Sequence, residues 1–149
     1  MTKIQKIHEK LSLKDLEAFE RKHKVKFPAL YREFLLECNG GYAEPNIFYV
    51  SSEEGESVLN VFYGIGNMYD NLDKKFDFFD ELIEIGFIPI ADDSAGNQIC
   101  LGVKNNLAEK IYFWNHEQEA DDPKENMYFL AENINDFLHR LYDLEVDTM

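Results

Sequence analysis

His116 stands beside Glu117, with Glu119 two positions on, a cluster that invites an acid–base or metal reading. A general base needs a substrate placed within hydrogen-bond reach, and a zinc site needs ligands at short regular spacing. The four histidines, His8, His23, His116 and His139, are scattered and show no such spacing. The two cysteines, Cys38 and Cys100, each sit in an apolar run, which predicts buried reduced thiols. Asp92-Asp93-Ser94-Ala95-Gly96-Asn97 crowds oxygen ligands together. It lacks the ligand spacing and the distant bidentate Glu of a calcium loop, and its Asp, Asn and Gly suit a hairpin turn. Gly64-Ile65-Gly66-Asn67-Met68-Tyr69 begins like a dinucleotide fingerprint, but the third glycine and the strand-to-helix setting are missing, so it reads as a flexible loop. No Ser or Cys nucleophile motif is present. The sequence therefore predicts no catalytic residue, no metal and no cofactor.

What remains is charge. The 149 residues carry a net charge of −14. Residues 1–32 hold nine basic and four acidic side chains, a net +5, and residues 33–149 hold six and twenty-five, a net −19. A chain this acidic is repelled by phosphate backbones and anionic lipid, so neither nucleic acid nor membrane is expected as a partner. Solubility alone explains an acidic surface; electrostatic steering toward a basic protein is the sharper account. On that account the candidate partner-binding residues are Glu53, Glu54, Asp92, Asp93, Glu117, Glu119, Asp121 and Asp122, with Trp114 as an aromatic anchor. The competing accounts are that Trp114 is core and that the acidic segment after it is a solvated loop. Tyr42, Tyr49, Tyr63 and Tyr69 flank loops and fit either contact or core.

The elements that must position these residues follow from periodicity. Ser12 caps a helix with Asp15 three residues on, and Leu13, Leu16 and Phe19 form its stripe. Phe27-Pro28 opens a second helix with Leu30, Tyr31, Phe34, Leu35 and Cys38 inward, and Asn39-Gly40-Gly41 stops it. Short β-rich runs cover 47–50 and 58–63. A third helix starts at about Asn71 with Leu72, Phe76, Phe79, Leu82 and Ile83 on one side, and Gly86 ends it. Strands follow at 87–91, 98–103, 110–114 and 127–130, the first carrying Pro89, which calls for an edge position or a bulge. Asn133 caps a last helix with Ile134, Phe137, Leu138, Leu141 and Leu144 inward. Strands come in consecutive runs, so the fold class is α+β: a mixed, largely antiparallel sheet flanked by N-terminal, central and C-terminal helices, in a single domain over 1–149 with its core at about 11–145. The charged N-terminal stretch lacks the apolar run expected of a signal peptide, and no stretch approaches ~20 apolar residues, so a cytoplasmic protein is expected.

Three segments carry a family resemblance. Leu16-Glu17-Ala18-Phe19-Glu20, then Val25 to Leu35 with its Phe27-Pro28 step, Tyr31 and Phe34-Leu35, then Asn39-Gly40-Gly41, resemble the opening of the SUKH superfamily. Phe87-Ile88-Pro89-Ile90-Ala91 followed by Gly96-Asn97-Gln98-Ile99-Cys100-Leu101 resembles its central hairpin, with Asn97 where Asp is common. Ile134 to Leu138 resembles its closing helix, with Asp136 where Ser is common. The superfamily includes the fungal Smi/Knr cell-wall regulators and many bacterial immunity proteins. The resemblance implies a mixed sheet flanked by helices and a non-catalytic protein that binds a cognate toxin, commonly a nuclease. A housekeeping scaffold or regulatory binding protein is the alternative it leaves open.

Overall fold

The computed structural model describes residues 2–117 and 123–143. Three of the helices start on a side-chain cap. Ser12 Oγ accepts from the Asp15 N–H at the head of α1 (Leu13–His23), Asn71 Oδ1 from the Lys74 N–H at α3 (Leu72–Phe78), and Asn133 Oδ1 from the Asp136 N–H at α5 (Ile134–Arg140). Each cap occupies one of the donors a helix start leaves unpaired. Pro28 precedes α2 (Ala29–Glu37), where it has no N–H to lose. Glu20 ties the two helices together, accepting from the Phe27 N–H at 2.9 Å and pairing with Arg32 at 3.0 Å.

Six strands form one sheet in the order β3 (Ile47–Ser51), β4 (Gly55–Phe62), β5 (Phe87–Asp93), β6 (Gln98–Gly102), β7 (Ile111–Trp114) and β8 (Met127–Ala131). Every pairing between these neighbours is antiparallel. The sheet curls until β3 approaches β8, and after α5 the chain returns to bridge Tyr142 onto Ile47. Pro89 lies in the interior strand β5, and the register shifts between Pro89 and Ala91, so of the two expected placements it takes the bulge. Two three-residue strands outside the periodic runs, β1 (Lys3–Gln5) and β2 (Tyr42–Glu44), make a separate antiparallel pair.

Alternation along the strands gives the sheet two apolar faces. Ile99, Leu101, Ile111 and Phe113 point inward to the main core, which Leu16, Phe19, Tyr31, Leu35, Ile134 and Phe137 cover from α1, α2 and α5. Cys100 and Trp114, one position out of phase, point outward to a second core with Phe79, Leu82 and Phe87. The third predicted helix serves both faces by breaking. Phe79 leaves helical geometry (φ −111°, ψ 40°) and separates α3 from α4 (Asp80–Glu84). Leu72 and Phe76 pack into the main core, whereas Phe79 and Leu82 pack into the outer one.

The two glycine motifs meet each other. The Asn39 side chain donates to the Ile65 carbonyl at 2.9 Å and accepts from the Ile65 N–H at 2.7 Å. A Cβ on Gly64 would fall 2.6 Å from the Asn39 carbonyl oxygen, so the backbones approach too closely for a side chain. The Gly64–Gly66 segment is thus a packed loop beneath the end of α2. Among the described residues no helix is long and apolar enough to cross a membrane.

Candidate functional site

Residues distant in sequence converge at one end of the sheet. The β3–β4 turn, the β5–β6 hairpin and the end of β7 lie together and are cross-linked by side chains. Asn115 Nδ2 donates to Glu54 Oε1 at 3.0 Å, joining β7 to the first turn. The His116 N–H donates to Asn97 Oδ1 at 3.1 Å, and His116 Nε2 lies 3.0 Å from the Ala95 carbonyl, joining β7 to the hairpin. A carbonyl only accepts, so that ring nitrogen carries the proton. Asn126 Nδ2 donates to the Asn115 carbonyl at 3.0 Å and anchors the start of β8. The result is a braced platform of three turns.

Asp93 organises the hairpin from inside. It is 3% exposed, and its carboxylate accepts from the Ser57 hydroxyl (2.7 Å), the Ala95 N–H (3.0 Å), the Asn97 N–H (2.8 Å) and the Asn97 side-chain amide (3.0 Å). Its neighbour Asp92 faces the other way. It is half-buried, accepting from Asn60 Nδ2 at 3.0 Å and the Val61 N–H at 3.3 Å, and burial pushes its carboxyl above the usual range against those bonds.

The candidate residues therefore divide. Glu53 and Glu117 are exposed on the platform, and Glu54 is partly exposed and held by Asn115. Asp93 is enclosed in the hairpin. Trp114 is 8% exposed beneath α4, with its ring 5.9 Å from Phe79, so it lies in the outer core. Glu119, Asp121 and Asp122 lie outside the described residues. Of the four tyrosines, Tyr63 is buried and donates to Gln98 Oε1 at 2.6 Å, whereas Tyr42, Tyr49 and Tyr69 are exposed.

The platform offers carboxylates on rigid turns, an arrangement suited to recognition. The His116 ring is engaged by the Ala95 carbonyl. Among the described residues no group of three or more His, Cys, Asp or Glu side chains is placed to hold a metal ion. Cys38 and Cys100 are both buried free thiols, and burial raises the pKa of each. Reasoning from the sequence missed Phe78, which is 79% exposed next to the buried Phe79. The signal available was the pair of adjacent phenylalanines followed by Asp80-Glu81: one helix face cannot bury both rings.

Comparison with known proteins gives a match along most of the chain. A family model described as SMI1/KNR4 family (SUKH-1) matches residues 10–140. The chain is also similar to an SPbeta prophage-derived uncharacterized protein, YokK, of Bacillus subtilis (strain 168), at 27% identity over 137 residues, covering 80% of this chain and 69% of the relative.

Proposed function

We propose a function that starts from family membership: this chain belongs to the SMI1/KNR4 family (SUKH-1). The family is in general one of non-catalytic, immunity-type proteins. Our reading is that this member is an immunity protein that neutralises a cognate toxin, a basic domain such as a nuclease, by direct binding. One observation carries it. The turns that carry Glu53, Glu54 and Glu117 are braced by side-chain hydrogen bonds to the Glu54 and Glu117 N–H groups and to the Glu54 carboxylate, so the backbone that presents these residues is set before a partner arrives.

Pre-organisation removes ordering entropy from the binding step. Carboxylates on a chain of net charge −14 attract a basic surface and raise association toward ~10⁸–10⁹ M⁻¹s⁻¹ at low salt. Such an inhibitor needs no catalytic group. It occludes the toxin's substrate site and meets the cations that would otherwise bind phosphate.

The test is co-expression with the protein encoded beside this gene. Growth arrest by that protein, relieved by this chain, is the expected result. Arrest without relief refutes toxin neutralisation. Recovery of a non-toxic partner instead would favour the scaffold or regulatory role.

A further inference from the structure

The outer face of the sheet is only partly covered. Helix α4 lies over β5–β7 and buries Leu82 and Phe79, but the aromatic surface continues past it. The Phe78 ring packs edge-on against Phe79 at 4.7 Å and is otherwise open. On the far side Phe87, Tyr112 and Phe129 form an edge-to-face row with centroids 5.2 and 5.6 Å apart, and Phe129 is 46% exposed. Trp114 and Tyr112 occupy the same face of β7, so the two exposed rings belong to one continuous aromatic layer. Exposed large rings linked in this way mark interaction surfaces more than solvated ones do.

The rim of this layer is acidic. From Asp77 to Gly86 the chain has Asp77, Asp80, Glu81 and Glu84, all exposed, and no basic residue. None of the four makes an ion pair among the described residues. Lys104 reaches α4 by donating to the backbone carbonyl of Glu84. Four carboxylates elsewhere are engaged: Glu37 holds Lys6 and Lys10, Asp73 holds Lys22, Glu20 holds Arg32 and Asp136 holds Arg140.

We infer that this face, with Phe78 and Phe129 as anchors inside the acidic rim of α3 and α4, is the docking surface for a basic protein whose arginines and lysines lie on the exposed rings. The inference rests on the immunity reading and adds a surface that the platform residues do not include. Arginine suits both parts of the patch, because its guanidinium plane stacks on aromatic faces while its charge meets a carboxylate. A second copy of this chain does not suit it, since a net charge of −14 and an acidic rim repel their own image.

The probe is the purified protein encoded beside this gene, titrated onto the full chain by calorimetry. Emission from Trp114, the single tryptophan, reports events beneath the face. Phe78→Ala removes a ring that the fold barely uses and should weaken binding by about 30-fold or more. The double change Asp80→Lys with Glu81→Lys should slow association by about 10-fold and remove much of its salt dependence. Leu13→Ala, at an exposed position on α1, should leave affinity as it is. Circular dichroism and thermal unfolding establish that each variant is folded. Hydrogen exchange in 77–84 and 127–130 should slow in the complex. If the unaltered chain does not bind, the immunity reading falls and this face with it. If it binds while the Phe78 and Asp80/Glu81 variants bind equally well, the face alone is refuted. A dimer of the free chain that Phe78→Ala dissolves would also overturn it.

Discussion

Asp93 and Asp92 are adjacent aspartates with opposite duties, and substituting each in turn tests that assignment. Removing the Asp93 carboxylate by Asp93→Ala strands four donors. The Ala95 N–H is at the exposed tip and recovers water, and the half-buried Ser57 hydroxyl recovers part of its hydration. The two Asn97 donors do not, because Asn97 is 8% exposed. A buried donor left unpaired costs about 1–3 kcal/mol, and a bond to a charged group contributes about 1.5–3 kcal/mol. Release of the buried charge offsets part of the loss. The net expectation is about 3–4 kcal/mol, a large share of the ~5–15 kcal/mol that holds a domain folded. Loosened Asn97 also weakens its bond to the His116 N–H, so the damage reaches the platform.

Urea unfolding followed by Trp114 fluorescence and by circular dichroism measures this directly, with the midpoint read at unchanged slope. In a thermal scan the same loss lowers Tm by roughly 10 °C for a chain of this size. Asp93→Asn keeps one oxygen for the two backbone donors but turns a donor toward the Asn97 amide, and should lose about 1–2 kcal/mol. Asp92→Ala releases only Asn60 and Val61 and should lose about 1 kcal/mol or less. If Asp93→Ala stays within about 1 kcal/mol of the parent, or Asp92→Ala does equal harm, the view of Asp93 as the hairpin's internal support is wrong.

Two further outcomes follow from the packing. Burial raises the Asp73 carboxyl, but hydrogen bonds from His23 and Lys22 more than reverse this and hold it below its ordinary range. Its contribution is therefore present above the unfolded carboxylate pKa near ~3.9 and is lost as pH falls through the lower folded value; Asp73→Asn should lose about 0.5–1 kcal/mol at pH 7 and progressively less as pH falls below ~3.9, by urea midpoints across that range. Tyr31 is fully buried and its hydroxyl has no partner among the described residues, so Tyr31→Phe should be neutral or stabilise by about 1 kcal/mol, and a loss above about 1 kcal/mol would reveal a partner for that oxygen.

How far the sequence could be read depended on whether the signal was local. Ser12, Asn71 and Asn133 announce their helices because a cap bonds three residues ahead, within the chain's own neighbourhood. Beta-rich runs with turn residues between them were equally legible. The β1–β2 pair was not, since three residues hold no usable alternation and Lys3 pairs with Glu44 across the intervening helices. The helix break at Phe79 was hidden for a related reason. Leu72, Phe76, Phe79 and Leu82 keep a helical period, and nothing in that period says that two cores on opposite faces of a sheet compete for them. Likewise Asp92-Asp93 shows two carboxylates but not which one the strand turns inward, a choice made by the β5 bulge.

The charge asymmetry changes meaning once folded. In linear order the chain is a basic segment followed by an acidic one, which suggests two surfaces of opposite sign. In space the described ion pairs draw together these two halves: Lys6 and Lys10 meet Glu37, and Lys22 meets Asp73. Carboxylates of the later segment thus screen part of the early positive charge. The carboxylates of α4 make no ion pair among the described residues, and they lie on the helix that carries Leu82 into the outer core. Charge that the fold does not use for its own closure is available to attract a partner, and its placement beside exposed rings lets attraction at long range lead to burial at short range. A basic protein drawn to the carboxylates of α4 therefore arrives next to the exposed ring of Phe78.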